Sequence, residues 1–583
     1  MPSSSTVVRQ QPGYACEECR RRKARCDRVR PQCGFCVETG TACIIIEKRP
    51  QRGPKRGQLN AMRTRIGDPI NAMRRDSDNL EAMISDLMRT DLDQLYFERV
   101  HPVVPMIHQR RYFAWADDEN PNPARAGLRL AMRAMAAAMS AQFRSLADSL
   151  YHETLRLLET RSQTPTLGEG LEMPLEQIQA WLLLAHYEIL RVNEHQAMIT
   201  AGRAFRLVQM ARLYELDREE AEENSKTASS DEEFAELEEK RRTFWLAFCL
   251  DRFLCSRNDW PLTLFEELAR TRLPAPESNF QLGKRAVMGF LQDKMIVMAQ
   301  TPSLPPFAET VVLATLHGRC MDHRRSSRTN VTLTESGVAG TQPDHDFWIC
   351  HEWLTSMVED RVQALSQIQG PVTDGDPMLL FARMLAHGAL VHLNTTLQAI
   401  GSPWLTPERQ MMITTAGWRA ERAAAEMVRL ARSVKLFSCF KVHPFLSDPL
   451  ECATGFLLAR QQAKAAEGIF TFDPEVQNVS GGGSAMTASM GMGDDGGVEH
   501  LLRVLRYLGD TNTLARDFLS RLGLLTPPHS RGGGGGRGGV KALTHEFDFT
   551  ASACRDAGGG GGGVILHQAG QPLSVGWKRL ASF

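Results

Sequence analysis

What this 583-residue chain lacks narrows it first. No apolar run approaches the ~18 residues that cross a bilayer, so no membrane-spanning helix is expected. Met1 to Gln11 is polar and carries no apolar core of a secretory leader, which predicts a chain kept in a reducing compartment. The 13 cysteines are then expected as metal ligands or core residues rather than disulfides. Strict apolar–polar alternation is missing, so a strand-built core is not expected. The phosphate-binding glycine loop, the G-x-S-x-G elbow and the dinucleotide glycine pattern are missing as well, and no catalytic constellation replaces them; an enzyme is not expected.

Net charge is also lacking, but the zero hides an asymmetry. Residues 1–60 hold 13 Lys/Arg against 5 Asp/Glu, and the remainder holds 55 against 63. A small basic head on a mildly acidic body predicts a polyanionic partner for the head alone.

The same head holds six cysteines within 28 residues: Cys16, Cys19, Cys26, Cys33, Cys36 and Cys43. Their spacing, C-x2-C-x6-C-x6-C-x2-C-x6-C, is one C-x2-C-x6-C unit written twice. Zinc takes four tetrahedral thiolates. One zinc would leave two thiols idle, whereas two zincs need eight ligand positions, which six sulfurs supply only if two bridge. The duplication makes Cys16 and Cys33 the natural bridging pair, with Cys19 and Cys26 completing one metal and Cys36 and Cys43 the other. C-x2-C suits a helix N-terminus, where backbone N–H groups stabilise thiolate charge. Glu17 to Arg25 has no Gly or Pro and is expected to make two helical turns; Phe35 to Thr39 is expected to make a second short helix, with Gly40 as its left-handed cap. Pro31 falls in the connection, where it cannot interrupt a helix. Few apolar side chains are available, so metal must replace a core.

The segment Cys16-Glu-Glu-Cys-Arg-Arg-Arg-Lys-Ala-Arg-Cys26, followed by Arg-Pro31-Gln-Cys33-Gly-Phe-Cys36, resembles the fungal binuclear zinc cluster DNA-binding domain. The resemblance implies two Zn²⁺ per chain and a double-stranded DNA partner with CGG-type sites, read in the major groove by the end of the first helix. By position it puts Arg22 and Lys23 at base-reading places and Arg20 and Arg25 at backbone-contacting ones; Arg21 belongs to the same run. Phosphate contact alone stays open for both Arg22 and Lys23, more for Arg22 than for Lys23. Arg and Lys suit guanine O6 and N7. The linker Glu47–Gly57 adds Lys48, Arg49, Arg52, Lys55 and Arg56 as phosphate-tracking candidates, and these basic runs also read as a nuclear localisation signal. Leu59, Met62 and Ile66 keep heptad-like spacing only until Gly67-Asp-Pro69, which leaves monomer and homodimer both open.

From about residue 91 to 469 the pattern is helical. Met198, Ala201, Phe205 and Val208 share one face, as do Leu246, Leu250, Phe253 and Leu254, and Ala416–Val434 is Ala-, Arg- and Glu-rich with one apolar face. An all-α domain of many packed helices is expected. Tyr96-Phe-Glu-Arg-Val-His-Pro102, Pro105-Met-Ile-His108, Gln179–Leu213 and Lys240–Arg252 are similar to the fungal-specific transcription factor domain, the middle homology region. That likeness implies a regulatory role: control of activation, effector response or partner contacts.

The expected organisation is a disordered 1–13, a zinc cluster domain at 14–46, a basic linker with short helices at 47–90, an all-α regulatory domain at 91–525 with flexible insertions near 216–236 and 476–498, and a disordered Gly-rich tail at 526–583. Glu215–Glu239, with 12 acidic and two basic residues, reads as a solvated acidic loop, and His500–Leu525 as helix. In the tail, His545-Glu-Phe-Asp-Phe-Thr550 has the acidic–aromatic pattern of activation segments, though a chance apolar patch is the simpler reading. His317-x2-Cys320-x2-His323 places three metal-capable groups near one helix face but reads as ordinary helix; Asp251-Arg252 reads as a packed ion pair. The isolated Cys249, Cys255, Cys320, Cys350, Cys439 and Cys452 read as small core residues. The expected function is a nuclear transcription factor of RNA polymerase II genes, a pathway-specific activator, with a secondary-metabolite gene cluster as a target and coactivators as partners. A repressor, or a nuclear scaffold whose zinc cluster binds protein, is the alternative.

Overall fold

The computed structural model describes residues 15–44, 85–118, 121–162, 173–218, 231–296, 304–335, 345–368, 375–400, 405–470 and 494–524. They belong to two compact units, residues 1–84 and 85–583. Every regular element among the described residues is helical.

The first unit contains two five-residue helices, α1 (Glu17–Arg21) and α2 (Gly34–Glu38). Helices this short are unstable alone in water, where about 12–15 residues are needed even for marginal order. Their interior is sulfur: Cys16, Cys19, Cys26, Cys33 and Cys36 are buried, with Phe35 and Cys43 packed against them.

The second unit opens with α3 (Asp86–Leu95), whose cap Ser85 accepts the Met88 N–H. It continues through α4 (Gln109–Phe113), α5 (Pro123–Ala138), α6 (Ala147–Ser162), α7 (Leu175–Arg191), α8 (Glu194–Met210) and the long α9 (Asp231–Asn258). Next come α10 (Glu277–Leu282), α11 (Leu291–Ile296), α12 (Pro306–Glu335), α13 (His345–Ser366), α14 (Pro377–Gln398), α15 (Pro407–Ala431), α16 (Ser447–Phe470), α17 (Asp494–Gly509) and α18 (Thr513–Arg521). Asn122-Pro123, Asp376-Pro377 and Thr406-Pro407 start α5, α14 and α15: the polar side chain accepts a first-turn N–H, and proline fills a position whose N–H has no partner within the helix. Helix α5 packs on α6 and α7, α7 on α8, and α9 on α8 and α12; α14 is flanked by α12, α13, α15 and α16. The order closes when α18 returns to α7, where Thr513 Oγ1 donates to the Ile189 carbonyl.

The predicted faces are in the core with two refinements. Ala201, Phe205 and Val208 are buried on α8, but Ala197 takes the core place expected for half-buried Met198. On α9 the face of Leu246, Leu250, Phe253 and Leu254 is buried, and so is everything else from Phe244 to Cys255, because this helix has neighbours all round.

Two boundaries differ from expectation. The acidic stretch Glu215–Glu239 is not all solvated loop. Asp231–Glu239 forms the opening turns of α9, and Asp217, Glu238 and Glu239 are buried. Each has a partner: Asp217 accepts from Arg241 Nε at 2.9 Å, Glu238 from Arg242 Nε at 3.1 Å and the Ala275 N–H at 2.7 Å, and Glu239 from the His108 N–H at 2.7 Å and Arg111 Nε at 3.0 Å. Paired, hydrogen-bonded charges tolerate burial where isolated ones do not; residues 219–230 lie outside the described residues. Likewise the insertion expected to reach residue 498 ends sooner. Helix α17 starts at Asp494 and includes Gly496 and Gly497, because packing of Val498, Leu501, Val504, Leu505 and Leu508 outweighs weak glycine propensity. The single helix expected from His500 breaks at residues 510–512, where Asn512 caps α18 and donates to the Pro444 carbonyl at 2.6 Å.

The isolated chemistry-bearing residues are structural. Asp251 Oδ2 accepts the Thr263 and Leu264 N–H groups at 2.9 and 2.8 Å, and Arg252 lies 3.8 Å from it. His317 packs edge-on against His392 at 5.3 Å, and His323 is hydrogen-bonded to His351 at 3.1 Å, so His317, Cys320 and His323 do not converge on a metal. Burial pushes Cys249, Cys320 and Cys452 up to about 12. Cys255 is raised equally, its thiol facing Asp251; Arg257, which its position in sequence would place near that thiol, binds Glu194 and Asp448 instead.

One fully buried ion pair is bidentate. Arg361 Nε and Nη2 donate to Glu309 Oε1 and Oε2 at 2.8 and 2.7 Å, joining α13 to α12 with both side chains buried. Arg361→Met strands a buried carboxylate and is expected to destabilise the second unit by about 3–5 kcal/mol. Thermal unfolding followed by helical circular dichroism checks this. The double replacement Arg361→Met with Glu309→Met should recover most of the loss; no recovery would show that the charge pair is not the cause.

Candidate zinc and DNA-binding site

The site is built by bringing two short helix starts together. Cys16 is the N-cap of α1 and its sulfur accepts the Cys19 N–H at 3.4 Å; Cys33 is the N-cap of α2. Both C-x2-C pairs therefore open a helix, as the spacing predicts. The six sulfurs fall into two groups of four, Cys16, Cys19, Cys26, Cys33 and Cys16, Cys33, Cys36, Cys43, each with all its sulfurs within 4.8 Å of one another. The groups share Cys16 and Cys33. Zinc with arms of about 2.3 Å sets tetrahedron edges of about 3.8 Å. The sulfur separations agree: 3.7 Å for Cys16–Cys33, 3.6 Å for Cys16–Cys36 and 3.6 Å for Cys19–Cys33. This donor set fits two tetrahedral soft-metal sites with a common edge.

Without metal the thiols are unequal. Burial raises Cys16, but the Cys19 N–H and neighbouring thiols outweigh it and hold it at about 6. Burial and the thiol of Cys16 push Cys19 up to about 12, and burial drives Cys33 higher still. Zinc would replace these protons with one charge-compensating ion per group.

The first helix is shorter than expected. It ends at Arg21, with Arg22 as C-cap and Lys23 in the left-handed region at φ +57°. The Lys23 N–H donates to Arg20 O and the Ala24 N–H to Cys19 O, which terminates the helix. The reason is geometric. Seven further helical residues would carry Cys26 about 10.5 Å along the axis from Cys19, out of reach of a shared metal, so the chain must turn back. Arg20 and Arg21 stay on α1, Arg22 caps it, and Lys23 and Arg25 lie on the returning turn; all five are exposed. The second helix follows expectation, with Gly40 at φ +62° just beyond it. Lys48, Arg49, Arg52, Lys55 and Arg56 lie outside the described residues, as do Leu59, Met62, Ile66 and the tail.

Three further residues shape the module. Glu18 accepts from Arg21 Nε at 3.0 Å and Nη2 at 2.6 Å and from Arg22 Nε at 2.5 Å; the Arg21 bonds, then those of Arg22, hold its carboxyl at about 2. Asp27 ties the loop, accepting the Val29 N–H at 3.2 Å and the Gly34 N–H at 2.8 Å. A Cβ on Gly34 would lie 2.6 Å from Asp27 Oδ2. The only sequence hint was their place: an Asp just after one ligand and a Gly just after another. Gly34→Ala should break this tie and weaken zinc retention against a competing chelator by about 1 kcal/mol, roughly fivefold. Asp27→Ala should do the same, and wild-type retention in both would remove the tie from the account.

A metal-built module bearing exposed cations, in one chain with a large helical domain, defines a class: a zinc-dependent DNA-binding transcription regulator. Residues 14–53 match the fungal Zn(2)-Cys(6) binuclear cluster domain, and residues 94–296 match the fungal specific transcription factor domain. The chain is 38% identical to the asperfuranone cluster transcription factor afoA of Emericella nidulans, over 89% of this chain and 97% of that protein. It is 37% identical to the sorbicillinoid biosynthetic cluster transcription factor 1 of Penicillium rubens, over 88% and 93%. It is 34% identical to the citrinin biosynthesis transcriptional activator ctnR of Monascus purpureus, over 79% and 89%. The chain belongs to the fungal Zn(2)-Cys(6) transcription factor family, and it binds zinc and DNA. No solved structure is significantly similar to it. No helix among the described residues is long and apolar enough to cross a membrane.

Proposed function

We propose that this chain is a nuclear, pathway-specific activator of a secondary-metabolite biosynthetic gene cluster, reading CGG-type sites through a cluster of two Zn²⁺. Cys16 and Cys33 bridge the metals, Cys19 and Cys26 complete one, and Cys36 and Cys43 complete the other. Lys23 and Arg22 meet base edges; Arg20, Arg21, Arg25 and the linker residues Lys48, Arg49, Arg52, Lys55 and Arg56 meet phosphate. Residues 14–46 form the reading head and 91–525 the regulatory body, with coactivators as partners; monomer and homodimer stay open, and the spacing of selected sites decides between them. The observation that carries this reading is the pair of sulfur groups sharing Cys16 and Cys33 beside five exposed cations. That afoA and the Penicillium rubens factor are biosynthetic cluster transcription factors, and ctnR a citrinin biosynthesis transcriptional activator, supports the target class.

Selection of bound sites from random duplex by the full zinc-loaded chain tests it. Enrichment of CGG triplets is expected, with a fixed spacing between two triplets if the chain pairs. Binding should weaken steeply with added salt, as several phosphate contacts require. No enriched sequence, with salt-insensitive binding, would overturn the reading.

A further inference from the structure

We propose that the outer face of α15 pairs with the same face of a second copy of this chain, antiparallel and about a two-fold axis between Trp418 and Arg422. The inner face of this helix belongs to the core: Ala416, Ala420, Ala423, Ala424, Met427 and Leu430 are buried. The outer face carries an exposed stripe of Met411, Thr415, Trp418, Arg422, Ala425 and Arg429. The stripe lies wholly within the second unit, and its pairing does not depend on how the zinc module reads DNA.

Trp418 carries the argument. It is 74% exposed, and Met411 on the same stripe is 69% exposed, although folded chains ordinarily cover most of a tryptophan. Trp115, Trp181, Trp348 and Trp353 each have an arginine of this chain over the ring, between 5.1 and 5.3 Å from its centroid; Trp418 has none among the described residues. Arg422, one turn further along the stripe, is exposed and forms no ion pair among the described residues. An uncovered indole and an unpaired guanidinium thus stand next to each other on one outward face. Tryptophan and arginine are also the residues on which protein–protein contacts most often depend.

The spacing of the stripe selects a second copy as the occupant. Its steps are 4, 3, 4, 3 and 4 residues, the alternation of a seam along which one helix lies on another. That order reads the same from either end, so an antiparallel copy meets it in register. Trp418 then faces Arg422 of the partner subunit, and the two-fold repeats the contact, giving two cation–π pairs. Thr415 faces Ala425 of the partner subunit, small against small, which lets the helices approach closely. Met411 lies along the aliphatic stem of Arg429 of the partner subunit; within one chain Arg429 Nε already donates to Glu426 at 2.8 Å, so its charge has a partner. Parallel pairing would instead set Arg422 on Arg422, like charge on like.

Sedimentation equilibrium of the full zinc-loaded chain, without DNA, tests this. One helix pair makes a small interface, so reversible dimerisation with a Kd of about 1–10 µM is expected. Trp418→Arg sets arginine on arginine and should weaken pairing by roughly tenfold or more. Trp418→Arg combined with Arg422→Trp exchanges the two places, and the two-fold then brings the same indole and guanidinium together again. That exchanged chain should pair within about threefold of the parent. Both positions are exposed, so helical circular dichroism should not change; Arg422→Ala, expected to weaken pairing several-fold, is the decisive variant if Trp418→Arg does not fold. The proposal is overturned by a parent chain that stays monomeric at about 100 µM, by undiminished pairing in the folded single variants, or by an exchanged chain that does not recover.

Discussion

Cys33→Ser is expected to strip both metals from the chain, whereas Cys26→Ser should leave one. The Cys33 sulfur belongs to both groups of four, and Cys26 to one. Losing Cys33 leaves two three-sulfur sites; losing Cys26 leaves Cys16, Cys33, Cys36 and Cys43 together. Among the described residues of the module, the buried side chains are cysteines alone. Structural zinc supplies about 10–16 kcal/mol to folds of this kind, so loss of both ions should cost more than 100-fold in DNA affinity, roughly 3 kcal/mol or more. Metal analysis and duplex-binding anisotropy on the two variants check this. Melting of the second unit should not change. Equal metal loss in both variants would remove the bridging assignment.

Lys23→Gly should bind zinc at least as well as the parent and read DNA worse. At φ +57° Lys23 holds a conformation that glycine adopts without a Cβ penalty, a relief of about 1 kcal/mol. A residue chosen for backbone comfort would be glycine. Lysine at this place puts an ammonium where the chain turns away from α1, beyond the two arginines already engaged by Glu18. Removing a base contact costs about 1–3 kcal/mol, or 5–150-fold. The loss should fall on CGG duplex and spare scrambled duplex, and Lys23→Ala should lose as much with a less stable module. Equal losses on both duplexes would reduce Lys23 to a phosphate contact.

The gathering of the six sulfurs into two groups was legible because the spacing is duplicated and each C-x2-C opens a helix. The end of α1 was not. Propensity favours helix through Arg25, and only the demand that Cys26 return to the shared sulfurs turns the chain at Lys23. Helix periodicity located the faces of α8, α9 and α15 but not their neighbours, so the full burial of α9 came from packing. The acidic stretch misled for the same reason: composition shows that Glu238 and Glu239 are charged, not that Arg242 and Arg111 are folded against them. Asp27, Gly34 and Glu18 act through contacts that pattern alone does not reveal.

Stepwise chelation of the full chain, with released zinc and CGG-duplex binding measured in the same sample, tests the central claim most directly. Two ions should leave per polypeptide, binding should vanish with them, and the helical signal of residues 85–583 should persist. Release of a single ion, or operator binding that survives metal removal, would contradict a module in which metal takes the place of a core.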